Sequence, residues 1–328
     1  MRISVEAAGL LTTVQDLGRV GSRQHGVSLG GALDPHALTI ANVIVGNEPG
    51  AAGLEMTFGN TRLKFADERL VAWCGGDFHV EAAGFEIPYG HVAILSAGDE
   101  LRFIAPAAGG RAWLAVSGGV DVPVVLGSRA TDLRGRFGGL DGRPLRDGDV
   151  LPLREQMTNS SKFAARLTPA RAPDWSAPSE WASTKPRHPF LRVVRGADWW
   201  RFDRTATINL LQELFSVTTD SDRMGVRLAG SRIVRQDNEE LLSEAVPPGT
   251  VQIPPNGQPI VLLGDCQTIG GYPKIAHVIT IDLPAAAQLS PGDVVRFAEV
   301  SLSEAQTLLI ERERELVWFR AGVGLKFA

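Results

Sequence analysis

The chain has 328 residues, which is long for one β domain and sufficient for two of about 150 residues each. Hydrophobic residues make up 44% and charged residues 21%, and a net charge of −4 argues against binding to nucleic-acid phosphates or an anionic membrane surface. The two cysteines, Cys74 and Cys266, offer neither a disulfide framework nor metal-ligand spacing. Because the sequence shows no membrane-length apolar stretch and no signal-peptide pattern, we expect a cytoplasmic protein.

Short apolar segments separated by turns dominate the sequence. The chain contains 36 glycines and 20 prolines, which divide it into stretches of strand length. A strand–helix–strand alternation is absent, so we do not expect a doubly wound parallel sheet. Gly-Asp turns at 148–149 and 292–293 each feed an alternating strand and are expected to close two separate barrels. The predicted strands lie at 69–73, 91–96, 112–117, 190–195, 251–254, 259–263, 277–281 and 294–300.

The first two predicted helices carry recognisable boundaries. Asp34 is expected to cap a helix that has Pro35 at its first position and ends at Gly46. An apolar pattern predicts a second helix from Thr207 to Leu214. Both would be accessories to the β-barrels.

A third helix is predicted at 303–320. Ser303 and Gln306 match a capping box, and Gly322 stands just past the expected end. Its apolar residues would dock on the second barrel. They are Leu308, Leu309, Leu316 and Phe319.

The stretch 154–189 is low in aliphatic residues and rich in Ala, Ser, Thr, Pro and Arg, which predicts an interdomain linker. Trp175 and Trp181 would pin it to a barrel surface, although a partner contact is the alternative. The sequence therefore predicts an all-β protein with a few accessory helices. A first β-barrel domain would occupy 1–153, and a second with the C-terminal helix would occupy 190–328.

The densest polar and glycine cluster lies at 264–273, directly after an apolar strand. Asp265 and Gln267 fall on one side of the strand end, and a Gly270-Gly271 pair allows close backbone approach to a ligand. A carboxylate accepts hydrogen bonds and a Gln amide both donates and accepts, so together they match the edge of an amide, lactam or ureido group. The alternative is a Gly-Asp turn with a solvent-facing Gln.

Three further residues are candidates for the functional site, although each also has an ordinary structural explanation. Arg223 lies in a turn before a strand and is otherwise a surface charge. Glu244 could act as a general base, although a turn role is more usual. Cys266 sits within the polar cluster, but no histidine is near it in sequence, so we expect a small buried thiol.

Several motifs that bind cofactors are missing. The sequence contains no P-loop, no dinucleotide-binding glycine pattern and no nucleophile elbow. Its six histidines are scattered singly, and no Met-Lys pair of the biotin-carrying kind occurs. ATP or biotin, if the reaction needs them, must therefore be supplied by other chains.

A series of short motifs follows one order along most of the chain, including Thr-Val-Gln-Asp-Leu-Gly-Arg at 13–19, Asp-Arg-Met-Gly at 222–225 and Asp-Cys-Gln-Thr-Ile-Gly-Gly-Tyr-Pro at 265–273. In this order they resemble the carboxyltransferase-like family. That family contains allophanate hydrolase subunit 2, the C subunit of 5-oxoprolinase, a kinase-inhibitor antagonist, and part of the urea carboxylase carboxyltransferase domain. Other matching segments are 31–34, 41–47, 54–57, 117–120, 125–129 and 252–255.

The resemblance implies two cyclophilin-like β-barrels and a companion chain of related fold, similar to the B subunit of 5-oxoprolinase or to allophanate hydrolase subunit 1. The preferred function is a subunit of an ATP-dependent 5-oxoprolinase-type amidohydrolase that acts on a small lactam and is inactive alone. One alternative is a biotin-dependent carboxyltransferase component of the urea or allophanate type, and another is a regulatory protein that binds a kinase inhibitor. No cofactor or metal is expected on this chain alone; ATP or carboxybiotin would come through partner subunits.

The predicted catalytic residues are Asp265, Gln267 and Arg223, at one cleft facing the partner subunit. Asp265 would accept a hydrogen bond from the substrate N–H, Gln267 would donate to its carbonyl, and Arg223 would pair with a carboxylate. On this view Asp265→Asn impairs activity and leaves the fold intact. The predicted substrate-binding residues are Gly270, Gly271, Tyr272, Glu244 and Gln252.

Overall fold

The computed structural model describes residues 1–167, 172–182, 190–237 and 239–327. Twenty β-strands and six α-helices make up most of the regular structure in the described residues, which agrees with the predominantly β fold that the sequence predicted. Within these ranges, no helix has both the length and the apolar character needed to cross a membrane.

The chain folds into two compact units, each assembled from separate stretches of sequence. The first unit comprises the described residues of Met1–Arg19, Gly30–Lys185 and Leu316–Ala328. The second comprises those of Val20–Leu29 and Pro186–Glu315. A short segment near the start of the chain therefore belongs to the later unit.

Two antiparallel sheets make up the first unit. The strands are β1 (Arg2–Ala8), β2 (Leu11–Gln15), β3 (Gly53–Thr57), β4 (Thr61–Phe65), β5 (Arg69–Gly75), β6 (Val80–Ala82), β7 (Phe85–Glu86), β8 (Val92–Leu95), β9 (Glu100–Phe103), β10 (Arg111–Val116) and β11 (Val150–Pro152). One sheet has the order β11-β1-β4-β9-β6-β7, and the other has the order β2-β3-β10-β5-β8. Two sheets, and not the single closed barrel expected for this half, enclose its core.

The core of the first unit lies between the two sheets. Alternate residues such as Val5 and Leu63 from one sheet and Trp73 and Leu114 from the other pack into one buried cluster. Strands β5 and β10 are buried at every position because their second face is covered by helix α1 (Pro35–Ile44). Burial on both faces explains why these two segments are continuous apolar runs in the sequence.

Helix α1 begins and ends as predicted. The Oδ1 atom of Asp34 accepts a hydrogen bond from the Ala37 N–H at 2.9 Å, which satisfies a donor that the first turn leaves unpaired. Gly46 follows the helix with a φ of 76°, a conformation that favours glycine.

Part of the predicted linker is helical. Helices α2 (Thr158–Leu167) and α3 (Ser179–Ala182) form within it, whereas 168–171 and 183–189 lie outside the described residues. The ring of Trp175 packs 6.0 Å from Phe163, and Trp181 meets His36 of α1 edge-on at 5.5 Å. Both tryptophans thus contribute packing within the first unit.

A closed seven-stranded barrel forms the second unit, as predicted for this half. The strands are β12 (Phe190–Arg195), β13 (Phe215–Val217), β14 (Gly225–Ala229), β15 (Glu244–Ala245), β16 (Thr250–Gln252), β17 (Ile260–Leu262), β18 (Ile269–Gly270), β19 (Lys274–Val278) and β20 (Val294–Glu299). The barrel has the order β12-β19-β16-β17-β14-β13-β20, and a parallel pairing of β12 with β20 completes the ring. Strands β15 and β18 form a separate two-stranded ribbon.

Helix α4 (Arg204–Gln212) starts and ends earlier than predicted, and helix α5 (Leu283–Gln288) was not predicted. The Asp203 carboxylate caps α4 by accepting the Ala206 N–H at 2.7 Å. Leu214 lies beyond the helix end and is exposed, so the apolar pattern extended the predicted helix too far.

Helix α6 (Leu302–Phe327) differs from the prediction at both ends. Its first turn is capped by Ser301, whose hydroxyl accepts the Glu304 N–H at 3.1 Å, and not by a Ser303–Gln306 box. The helix continues through Gly322, because a glycine inside a helix costs only about 1 kcal/mol and the extra turn buries Val323 and Phe327.

The predicted docking of α6 on the second barrel holds only for its first half, since the residues up to Glu315, including Leu308 and Leu309, belong to the second unit. From Leu316 onward the helix belongs to the first unit, where Phe319 lies 5.6 Å from Trp181 and Phe327 lies 4.5 Å from Phe163. Leu308 and Leu309 remain only half-buried. Aromatic partners in the first unit, which the helical pattern alone cannot identify, decide where the helix packs.

We expect Phe327→Ala to destabilise the first unit by about 3 kcal/mol, because it removes a buried ring from an aromatic cluster. Leu325→Ala on the same helix is the matched control, since Leu325 is 79% exposed and should change stability very little. Urea denaturation of both variants measures the difference. Equal stability of the two would contradict the packing described for α6.

Candidate functional site

A buried ion pair joins two predicted catalytic residues. Arg223 donates from Nε to Oδ2 of Asp265 at 2.8 Å and from Nη2 to Oδ1 at 3.1 Å, a two-pronged arrangement. The backbone N–H of Asp265 also donates to the Arg223 carbonyl at 3.1 Å. The pair therefore ties the turn before β14 to the turn after β17.

This pairing corrects the roles expected from the sequence. The prediction placed Asp265 and Arg223 at one cleft, and the structure does bring them together. However, both are buried, and each engages the other where a substrate N–H and a substrate carboxylate had been expected. Breaking such a pair leaves an uncompensated buried charge, so the contact fixes the position of the loops.

Gln267 and Gln252 are hydrogen-bonded to each other through their side-chain amides. Gln267 donates from Nε2 to Oε1 of Gln252 at 3.3 Å, and Gln252 donates from Nε2 to the Tyr272 carbonyl at 3.3 Å. The Gln252 amide is fixed on both sides, whereas Gln267 is half-buried. An array of linked amide donors and acceptors results, which suits a ligand with its own amide or ureido edge.

Gly270 makes this array possible. A Cβ added at Gly270 would lie 2.7 Å from Nε2 of Gln252, whereas one at Gly271 would meet nothing closer than 3.4 Å. The absence of a side chain at 270 therefore lets the ribbon strand β18 pass directly over the Gln252 amide. Of the two glycines, only Gly270 is required for steric reasons, because a side chain there would clash with the Gln252 amide.

Glu244 lies on the other strand of the same ribbon. It pairs with Gly270 in the β15–β18 register, and its carboxylate lies 2.9 Å from Nζ of Lys274, which also lies 3.1 Å from Asp198. Although burial opposes it, hydrogen bonds to Glu244 and Asp198 raise the pKa of Lys274 above its ordinary value. The contact thus fits an anchor for the ribbon better than a general base.

Arg23 is a residue that the sequence analysis missed. Its Nη2 donates to the carbonyls of Val246 at 2.6 Å and Gln267 at 3.2 Å, and its Nη1 lies 3.9 Å from the sulfur of Cys266. It thereby links the ends of β15 and the 264–268 turn. No local sequence signal reveals this, because 223 positions separate Arg23 from Val246.

Cys266 is buried, as predicted, beside this guanidinium. Burial raises the pKa of its thiol, and the proximity of Arg23 only partly offsets that effect. A thiol held in its neutral form is a poor nucleophile, so covalent catalysis by Cys266 is not favoured. Among the residues that the structure describes, no group of three His, Cys, Asp or Glu side chains could hold a metal ion.

Two adjoining cavities lie in the second unit. The first, which we call the amide cavity, has a volume of about 600 Å³, and four of its lining residues carry primary amides: Gln252, Asn256, Gln258 and Gln267. The second has a volume of about 660 Å³ and shares Pro254, Pro255 and Tyr272 with the first. Small cyclic amides fit readily in either volume.

The predicted site residues divide between these cavities and the framework behind them. Gln252 and Gln267 line the amide cavity, Tyr272 lines both cavities, and Gly271 lines the second. Asp265, Arg223 and Glu244 line neither and act through contacts with neighbouring segments, and Gly270 lies behind the amide array.

Arg227 lines the amide cavity although the sequence analysis did not select it. Its outward position in the alternating strand β14 was the available signal.

Comparison with known proteins identifies a family. A family model described as carboxyltransferase domain, subdomain A and B, matches residues 25–299. The chain is 37% identical to the C subunit of 5-oxoprolinase from Escherichia coli strain K12 over 321 residues, which covers 96% of this chain and 98% of that protein.

Two larger proteins share the same region. The chain is 31% identical to the urea amidolyase of Lachancea kluyveri, covering 93% of this chain and 17% of that protein. The solved structure of the Kluyveromyces lactis urea carboxylase matches with a TM-score of 0.86 and 26% identity, covering 96% of this chain and 29% of that chain. The chain therefore spans nearly all of the bacterial relative but less than a third of these two proteins.

We expect Asp265→Asn to destabilise the fold by about 3–5 kcal/mol, because it removes the carboxylate charge that pairs with the buried Arg223 guanidinium. This replaces the expectation that the fold would survive. Asp222→Asn is the control: its exposed carboxylate accepts the Met224 N–H at 2.8 Å, and Asn preserves that contact. Thermal and urea unfolding of both variants should separate them clearly. If Asp265→Asn proved as stable as Asp222→Asn, the ion pair would not contribute to the stability of the fold.

Proposed function

The chain belongs to the family of carboxyltransferase domains with subdomains A and B, and from that premise we propose that it is a subunit of an ATP-dependent 5-oxoprolinase-type amidohydrolase complex. Its substrate would be a small lactam. The E. coli protein that it resembles over nearly its whole length is named as the C subunit of 5-oxoprolinase, which supports this choice.

The amide cavity is the observation that carries the proposal. Gln252 and Gln267 present a fixed pattern of amide donors and acceptors, and the lining includes apolar side chains such as Ile260 and Leu262. A lactam offers the complementary pattern on one edge and an apolar ring on the other. Gln267 would donate to the substrate carbonyl, and Tyr272 would cover the ring.

Three of the predicted residues take a positioning role in this proposal. The Asp265–Arg223 pair holds the 264–268 turn, which carries Gln267, against the turn before β14, and Glu244 holds the β15–β18 ribbon through Lys274. Gly270 lets that ribbon pass over the Gln252 amide, and Gly271 lines the second cavity. The chemistry would then depend on groups from the partner subunits.

Several features support activity only within an assembly. The lining of the amide cavity contains no histidine, cysteine or lysine among the described residues, so it offers binding groups but no strong nucleophile. ATP would be handled by another subunit, and the companion of related fold would be a chain similar to the B subunit of 5-oxoprolinase. We also propose that 1–153 and 190–328 correspond to carboxyltransferase subdomains A and B with cyclophilin-like folds.

The similarity to urea amidolyase and urea carboxylase favours one alternative. A biotin-dependent carboxyltransferase component would receive carboxybiotin from a partner and bind a ureido nitrogen at the same amide array. Lactam and ureido substrates both present an N–H beside a C=O, so Gln252 and Gln267 serve either chemistry. A regulatory protein that binds a kinase inhibitor is the remaining alternative from the family resemblance.

The decisive experiment is reconstitution with companion subunits from the same genome. We expect ATP-dependent formation of glutamate from 5-oxoproline only when all subunits are present. The chain alone, supplied with ATP and 5-oxoproline, should give none. Turnover by the isolated chain, or a complete complex that carboxylates urea with biotin but leaves 5-oxoproline intact, would refute the proposal.

A glycine pair tests the amide array inside the active complex. We expect Gly270→Ala to lower kcat/KM by about three- to tenfold, roughly the 0.5–1.5 kcal/mol of one hydrogen bond, because the new methyl group displaces the Gln252 amide. Its melting temperature should hardly change, since the displaced group is the end of a flexible side chain. Gly271→Ala, where the nearest atoms lie at 3.4 Å, is the control and should retain activity. Matching activities for the two variants would argue against substrate binding at Gln252.

A further inference from the structure

We propose that Arg227 binds a carboxylate group of the substrate and makes the amide cavity selective for a lactam that carries a carboxylate. The choice of 5-oxoproline as that lactam rests on the proposed function. The selectivity itself rests on the position of Arg227 in the barrel, which is independent of that choice.

Barrel pairing aligns Arg227 with the amide array. Arg227 of β14 pairs directly with Ile260 of β17, and Ile260 pairs with Gln252 of β16. The three residues therefore form one row across neighbouring strands, and all three line the amide cavity. The neighbouring row, Val226, Val261 and Val251, is buried in the barrel, so side-chain alternation directs the Arg227 row to the other face of the barrel wall. On that face Arg227 is exposed, Ile260 is half-buried and Gln252 is buried.

The distance from Arg227 to Gln252 suits a small lactam that carries a carboxylate. Adjacent strands lie about 4.8 Å apart, so Arg227 and Gln252 are separated by roughly 10 Å at the backbone with an apolar residue between them. A flexible arginine arm shortens that gap to the size of a lactam ring bearing a carboxylate. The apolar Ile260 would lie under the ring, the amides would bind its polar edge, and the guanidinium would bind the carboxylate.

Arg227 is available for this role and Arg223 is not. Within the described part of the chain, the Arg227 guanidinium makes no hydrogen bond or ion pair, and the side chain is exposed. Arg223, four residues earlier, is buried against Asp265. An arginine with unfilled donors at a cavity lined by amides is a ready partner for a planar carboxylate.

Two carboxylates also line the amide cavity, and neither is paired with Arg227. Asp222 accepts the N–H groups of Met224 and Gly225 at 2.8 and 3.3 Å, which uses its charge to hold the turn. Asp220 is exposed, so water and salt screen its charge. Because Arg227 is not neutralised by either, its positive charge remains available to an anionic ligand.

A pair of nearly isosteric ligands provides the test. We would measure binding of 5-oxoproline and of 5-oxoprolinamide, which replaces the carboxylate with a neutral amide, to the chain alone and to the assembled complex. The wild type should bind 5-oxoproline at least about tenfold more tightly. Arg227→Gln should remove that difference by weakening the acid only, and Arg227→Lys should retain part of it. Arg296→Gln, which removes an exposed arginine from β20, is the matched control and should behave as wild type.

The outcomes separate this inference from the proposed function. Equal binding of the two ligands, binding of neither, or equal weakening of both by Arg227→Gln would overturn the role of Arg227. Tighter binding of the acid by a complex that does not turn over 5-oxoproline would refute the proposed function and leave the role of Arg227 standing. Melting temperatures of the Arg227 variants close to wild type are expected for an exposed strand position, and Arg227→Lys serves as the test if Arg227→Gln fails to fold.

Discussion

The closed barrel of the second unit is the constraint on which the candidate site depends. Filling a seven-stranded ring with side chains requires Val226, Val251 and Val261 to point inward, and the period of two then turns their neighbours outward. Arg227, Ile260 and Gln252 therefore form one row on the outer face of the barrel wall, where other segments bury Gln252. A slip of one residue in any of these pairings would exchange the two rows, so core packing fixes the geometry of the site.

Charged side chains hold the loops above this outer face in place. Three sets of contacts bridge separate segments of the chain: the Arg223–Asp265 pair, the Arg23 contacts with two carbonyls, and the Lys274 contacts with two carboxylates. Buried charges of this kind add little net stability compared with apolar packing, but removing one partner is costly. The arrangement therefore fixes loop positions, which a binding site requires.

The sequence correctly predicted the features that depend on residues near one another in the chain. The strand segments, the Gly-Asp turns, the Asp34 cap and the resemblance to a family all follow from residues close together in the chain. The sequence also brought Asp265 and Arg223 to one place but could not show that they would pair with each other, since pairing depends on loop geometry. Arg23 was missed because its partners lie far away in sequence. Arg227 could have been found, because the alternation in β14 already placed it on the polar side.

The second unit is assembled from two distant stretches of sequence, and this affects when it can fold during synthesis. Arg23 emerges from the ribosome long before its partner Val246, 223 residues later. At roughly 5–20 residues per second, the segment around Arg23 waits on the order of ten to forty seconds before its native contacts exist. The first unit waits in the same way for the final turns of α6. Each unit therefore completes its native contacts only after most of the sequence between its separate stretches has been synthesised.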